Sequence, residues 1–303
     1  MNSPLVSNLS IEQACRGDGL RIAVGPFTIS IKTSIPSVIE GISLLYHHYA
    51  TADANAFSDY HISLDRASGV RKWLRPQVNF NFDGHKPFKP LPLSQALPNF
   101  EWGLNWCIAN HAHQYLIIHA AVVEKSGFAA ILPAPPGSGK STLCAALVNR
   151  GWRLFTDELA MISLESGCLV PIPRPVNLKN DSIEIIQAFA PSAVFSEKIF
   201  DTNKGTVSLM KAPDESVLRG KEEAKAAWVI FPRYKAGVDT AIVAKSKAQS
   251  CMALAQNAFN FNVLGSKGFK TLSALVDASE CFDFSYSQLD EAIDTFDQLA
   301  ASL

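Results

Sequence analysis

Paired cysteines are missing from this chain. Its six thiols, Cys15, Cys107, Cys144, Cys168, Cys251 and Cys281, are scattered over 303 residues with no C-x-x-C spacing. That usage argues against a disulfide framework or a structural zinc site and suits a reducing cytoplasm. A charge imbalance is missing too. Lys and Arg total 27 against 28 Asp and Glu, so nothing in the bulk electrostatics asks for nucleic acid or an anionic membrane. The opening stretch Met1-Asn2-Ser3-Pro4 has neither a basic n-region nor an apolar core, so no secretory signal is expected. No apolar run approaches membrane-spanning length, and there are no internal repeats or low-complexity tails. What remains is an ordinary globular composition, 48% hydrophobic and 18% charged, long enough for one or two domains. The reading is a soluble cytoplasmic protein.

The most informative stretch is Ala134-Pro135-Pro136-Gly137-Ser138-Gly139-Lys140-Ser141-Thr142. It fits the Walker A pattern with Ala134 in place of the first glycine. Gly137 and Gly139 allow a turn whose N–H groups point inward and accept phosphate oxygens. Lys140 can reach β- and γ-phosphates, and the Ser141 hydroxyl can sit on Mg²⁺. A helix opening at Lys140 adds the positive end of its dipole. Phe128–Leu132 reads as a buried strand entering the loop, and the helix after it, with Leu143, Ala146 and Leu147 on one face, stops before Gly151. Pro136 to Thr142 are therefore the expected nucleotide-binding residues.

Upstream, Leu20–Ser34 alternates around Gly25-Pro26 and predicts two short strands. Ser37 and Glu40 form a potential capping box for a helix carrying Ile39, Ile42, Leu45, Tyr46 and Tyr49, with His47-His48 on its face. Strands are expected at Tyr60–Leu64 and Val78–Phe82, the latter ending at an Asp83-Gly84 turn. Trp73, Phe80, Phe82 and Phe88 read as core. A proline-rich connector, Pro87 to Pro98, precedes a helix over Phe100–Ala112, and the boundary between an N-terminal α+β module (1–110) and the nucleotide-binding part (111–303) falls near residue 110. Two strands in succession, Tyr115–Val123 and Phe128–Leu132, predict a mixed sheet. Residues 169–180, with three prolines, read as irregular loop, Ala226–Phe231 as a buried strand, and Ser287-x-x-Asp290 as the cap of a final helix with Leu289, Ile293, Phe296 and Leu299 inward.

Just beyond the loop helix, Arg153–Thr156 reads as a strand running into Asp157-Glu158. A carboxylate there can supply an oxygen to a nucleotide's Mg²⁺, and two in succession can divide metal binding from proton abstraction. The separation of about fifteen residues from Ser141 is shorter than in most P-loop NTPases. With Leu116–Val123 bearing His119 on the preceding strand, the loop, and Arg150-Gly-Trp-Arg-Leu-Phe-Thr-Asp157-Glu158, the chain resembles the HPr kinase/phosphorylase superfamily. Pro173-Arg174-Pro175-Val176-Asn177-Leu178-Lys179, Phe231-Pro-Arg233-Tyr234 and Gly268-Phe269 are similar to the branch called HPr-kinase-related kinase A. The resemblance implies an α/β fold with a P-loop core on a mixed sheet, and ATP- and Mg²⁺-dependent transfer to a hydroxyl acceptor, with serine of a peptide or protein first in view. It implies catalytic roles for Asp157, Glu158, His119 and Lys140, with Ser141 and Asp157 on the metal. A small peptide-recognition protein is an implied partner, and the oligomeric state is open between monomer and homo-oligomer. The family's Asp-Asp is Asp157-Glu158 here, and its later Arg-rich segment is missing, so HPr is not the expected acceptor.

Other candidates are weighed by composition and place. His119 from pattern alone suits an apolar core; His111 and His113 lack a third ligand and read as structural. Arg174 and Lys179 flank a proline-stiffened stretch and could recognise phosphate or acceptor, or simply be solvated. Arg233 is a further cation for the transferring group. Lys204-Gly205 and Lys267-Gly268 read as turns with solvated lysines. A regulatory ATPase and a small-molecule kinase remain as alternatives.

Overall fold

The computed structural model describes residues 8–53, 55–68 and 74–302. After helix α1 (Asn8–Arg16), the alternating apolar positions form β1 (Leu20–Val24) and β2 (Phe27–Thr33), paired antiparallel across Gly25-Pro26. Helix α2 (Pro36–Leu45) then carries the chain to β3 (Tyr60–Arg66), parallel to β2. The expected capping box does not form: the residue before the helix is Ile35, and Pro36 starts the first turn, where its missing N–H costs nothing. The helix stops before His47 and His48, whose rings lie 3.7 Å apart in the turn that follows. β4 (Gln77–Phe82) and β5 (Leu91–Pro92) complete a five-stranded sheet in sequential order. Asp83 and Gly84, at φ 45° and 81°, make the turn after β4. Trp73 lies outside the described residues.

The proline-rich stretch is no loose connector. It holds β5, a single 3-10 turn, and the start of α3 (Ala96–His111), with Pro98 inside the first helical turn. Helix α3 buries Phe100, Leu104, Cys107 and Ile108 in the core beneath the first sheet, and Phe80 and Phe88 pack nearby. Gly103 faces Phe80 so closely that an added Cβ would overlap its ring. Gly103→Ala is accordingly expected to cost about 1–3 kcal/mol through overpacking, read as a lowered midpoint in urea denaturation; an unchanged midpoint would remove this contact from the account of the core.

The second sheet has eight strands. β6 (Tyr115–Lys125) pairs antiparallel with β7 (Phe128–Pro133), with β8 (Arg153–Thr156) and with β9 (Leu159–Ser163). Helix α4 (Lys140–Val148) lies between β7 and β8. β10 (Leu169–Val170) extends the β9 edge. The residues read as irregular loop instead supply β10 and β11 (Val176–Lys179), because each edge strand finds a partner outside the segment. β11, β12 (Ile199–Thr202) and β13 (Gly205–Met210) form a small third sheet around α5 (Asp181–Phe189). After α6 (Asp214–Leu218), β14 (Lys225–Tyr234) runs parallel to β7 and to β16 (Glu280–Tyr286), and β15 (Ala241–Ala244) closes the far edge. The sheet is mixed, as two successive strands before the loop suggested.

Helices α4 and α9 (Leu289–Ala301) cover one face with Trp152, Trp228, Phe284 and Phe296 beneath them. Helices α7 (Lys247–Gln256) and α8 (Phe261–Ala278) border the cluster on the other. Lys267-Gly268 sits inside α8, not in a turn. The last helix starts one residue later than its expected cap, and the Ser287 hydroxyl donates to Val238 O at 2.7 Å instead. The core under the first sheet continues into Ile117, Leu159, Met161 and Ile172 of the second part. Among the described residues no helix is long and apolar enough to cross a membrane.

Candidate active site

Strand β7 is buried from Ala129 onward and delivers the chain into Ala134–Gly139, which turns into α4 at Lys140. Gly137 and Gly139 have φ of 85° and 88°, a region unfavourable to side chains. A Cβ on Gly139 would also stand 2.6 Å from the Tyr286 hydroxyl and 2.8 Å from Tyr234 Cβ. Those tyrosines end β14 and β16. The Tyr234 N–H donates to Ser138 O at 2.9 Å, and the Tyr286 hydroxyl donates to Gly139 O at 3.2 Å. The loop is thus tied to the strands parallel to β7. Lys140 is buried, and its Nζ donates to the Asp157 backbone oxygen at 2.5 Å.

Beyond β8 the Thr156 hydroxyl accepts the N–H groups of Glu158 and Leu159, turning the chain into β9. Because β6 pairs with β9, His119 stands opposite Leu159, and the Ala120 N–H donates to Glu158 O at 3.2 Å. Sheet pairing therefore brings His119 to the acid pair. Asp157 Oδ2 accepts the Asn177 N–H at 3.0 Å. Burial pushes the Asp157 carboxyl up, against the pull of Lys140. Burial also acts to raise Glu158, but Lys204, Lys140, Arg174 and His119 together hold it below its ordinary value. His119 is pushed down by burial and then by Lys140, which leaves a neutral imidazole at pH 7.

A chain of buried and partly buried polar side chains that sequence reading missed stands behind Glu158. Asn105 on α3 donates from Nδ2 to Glu158 Oε2 at 2.7 Å. Arg174 donates to Asn105 Oδ1, which fixes the amide's orientation, and to Glu101 Oε2 at 3.2 Å. The Tyr46 hydroxyl closes the chain on Glu101 Oε1 at 2.5 Å. No sequence signal marks Asn105, since its partners lie 53 and 69 residues away.

Arg174 is consequently neither solvated nor a wall of the cavity. Burial acts to lower it, and Glu101, Tyr46, Glu158 and Asp157 together more than offset this. Arg233 also departs from expectation: Tyr234 reaches the loop, and strand alternation leaves its exposed neighbour off the cavity wall. Lys179 does line the cavity. Lys204 lies in the expected turn between β12 and β13, but it is half-buried with its Nζ 4.7 Å from the centre of the Trp102 ring and is not simply solvated. Burial lowers its pKa. His111 bonds Cys107 O, in keeping with a structural role.

The cavity measures about 1030 Å³. The loop, His119, Asp157, Glu158, Asn177 and Lys179 form one part of its wall, and Ile185, Phe189, Tyr234, Tyr286 and Leu289 an apolar part. Mg²⁺ takes oxygen ligands and is usually held by one or two carboxylates together with substrate phosphates. Ser141 and Asp157 supply such oxygens, and Asn177 Oδ1 beside them is buried without a hydrogen-bond partner. The residues fit a phosphate-bound Mg²⁺. Among the described residues no group of three or more His, Cys, Asp or Glu could hold a metal unaided.

No family model matches the chain, and no curated protein matches it. Among solved structures it is similar to the Hpr(Ser) kinase/phosphatase from Coxiella burnetii, at 12% identity, over 62% of this chain and 99% of that one. The TM-score is 0.29, too loose a likeness to carry an argument.

Proposed function

We propose that this protein is an ATP- and Mg²⁺-dependent kinase that moves the γ-phosphoryl group to a hydroxyl, with serine of a peptide or protein as the acceptor. The observation that carries the reading is the meeting of three features on one cavity wall: the positive-φ glycine loop with Lys140, the adjacent acids Asp157 and Glu158, and His119. A hydrolase needs only a positioned water. The second acid, braced by Asn105 beside a neutral histidine, adds a place to receive an acceptor's proton.

The loop N–H groups and Lys140 hold the β- and γ-phosphates once Lys140 leaves the Asp157 carbonyl. Ser141 and Asp157 hold Mg²⁺, which when bound neutralises charge across the phosphates. The acceptor oxygen forms its bond to the γ-phosphorus as the bond to the β-bridging oxygen breaks. Its proton passes to Glu158, with His119 beside it. ADP leaves with the bridging oxygen, so atoms and charge balance.

Purified protein, γ-labelled ATP and Mg²⁺, with and without cell extract, test the reading. Label is expected in a peptide or protein component, and Asp157→Asn is expected to cut it by about 10²–10³-fold, the scale of a lost charge-stabilising group. Label found only in free phosphate would replace the kinase with a regulatory ATPase.

A further inference from the structure

Helix α5 carries two apolar stripes. Ile183 and Ile186 turn inward and are buried. Ile185, Ala188 and Phe189, at the i, i+3, i+4 spacing that shares a helix face, line the cavity instead, and Ile185 is 46% exposed. Leu289, at the start of α9, and Tyr234, itself 49% exposed, add apolar surface to the same cavity. Phosphate oxygens gain nothing from such a surface, whereas a flat apolar group does.

Sheet order decides which end of a ligand reaches it. β7 has β6 on one side and β14, then β16, on the other. His119 and the acids therefore stand on the β6 side of the loop, and Tyr234, Tyr286 and Leu289 on the β14–β16 side. Helix α4, about 14 Å long at its usual rise, leads from the loop toward Arg150. The Arg150 guanidinium carbon lies 4.2 Å from the centre of the Phe189 ring, and its Nη2 is 3.8 Å from Asp290 Oδ1, so it ties α5 to α9. The polar lining from α5 and the start of α9 is Asp181, Ser182, Ser287, Gln288 and Asp290, with no cation among them. The two lining lysines, Lys140 and Lys179, come instead from the start of α4 and the end of β11. Carboxylates there disfavour a further phosphate and accept hydrogen bonds from hydroxyl groups.

We propose that this apolar stretch seats the base of the phosphoryl donor, so that the protein selects a nucleotide over an inorganic polyphosphate. This rests on the kinase reading above and goes beyond it by naming the residues that choose the donor. The base lies against Ile185, Phe189 and Leu289, and the ribose hydroxyls face the carboxylates at the rim. Arg150, stacked on Phe189 and paired with Asp290, fixes the two helices that frame the base.

Calorimetric titration of the full chain with ADP and with pyrophosphate, each in the presence of Mg²⁺, tests it. ADP is expected to bind at least about tenfold tighter than pyrophosphate, the scale of one base stacked on an aromatic ring. Joint Ile185→Ser and Phe189→Ala changes are expected to bring ADP down to the pyrophosphate affinity. Pyrophosphate binding at the parent level then reports an intact fold and loop. Ile185→Ser alone, at an exposed position, is expected to remove part of the margin and decides the matter where the double variant does not fold. Equal affinities in the parent protein would overturn the inference and give the apolar stretch to the acceptor. A margin that survives these changes intact would overturn it as well. Failure of both ligands to bind sinks the nucleotide reading itself, and the inference with it, a result distinct from pyrophosphate binding as tightly as ADP.

Discussion

Lys140→Ala is expected to lower phosphoryl transfer about a thousandfold while the protein stays folded. The magnitude follows from removing a positioned cation from the developing charge of the transferring group, where each such donor is worth about 10²–10³ in rate or more. The stability side is small for a stated reason. Lys140 Nζ makes one hydrogen bond, to the Asp157 carbonyl, and a single bond contributes about 1 kcal/mol. The variant also takes an ammonium out of a buried position. Label transfer from γ-labelled ATP, measured beside thermal unfolding, checks both halves. A variant that turns over at the parent rate removes Lys140 from the chemistry, and one that fails to fold makes its bond to Asp157 structural.

Arg174→Ala should be the most destabilising single change near the site, about 3–5 kcal/mol, because it strands the Glu101 carboxylate in the interior. It should also slow transfer. Without the guanidinium on Oδ1, the Asn105 amide is free to turn, and Glu158 loses the donor that holds it at 2.7 Å. Arg174→Lys should recover only part of either effect, since a point charge cannot reach Glu101 and Asn105 together as the planar fork does. Asn105→Ala separates the two consequences: slower transfer at a smaller stability cost. Urea unfolding with turnover measured on the same samples provides the check. A loss under about 1 kcal/mol for Arg174→Ala would mean that water enters and solvates Glu101, and the brace would have to be abandoned.

What was readable in advance follows the range of the interactions. The loop needs glycine at two positive-φ positions and a helix start directly after, all within nine residues, so Gly137, Gly139 and Lys140 announce themselves. Asp157 and Glu158 are legible for the same reason, through the short strand before them. His119 needed the resemblance, because its significance comes from pairing with β9 across the loop. Asn105 and Lys204 could not be found that way. One touches Glu158 from 53 residues upstream, and the other owes its character to the Trp102 ring beneath its ammonium. Arg174 was singled out, but burial reversed its meaning from substrate contact to internal support. The errors at Ser287 and in residues 169–180 share a cause, local capping and proline signals overruled by partners from distant segments, whereas at Ser37 the neighbouring Pro36 starts the helix first.

The side chain that holds Glu158 comes from α3, and the tyrosine that closes the same polar chain follows α2. A chain cut near residue 110 would keep its glycine loop, its strand order and both acids, and would still leave Glu158 without its amide partner. The front part of this protein is therefore no detachable adaptor. Any exchange of that part between relatives carries Tyr46, Glu101 and Asn105 with it as a matched set, and a mismatched set would surface as a fault in catalysis some fifty residues downstream of the change.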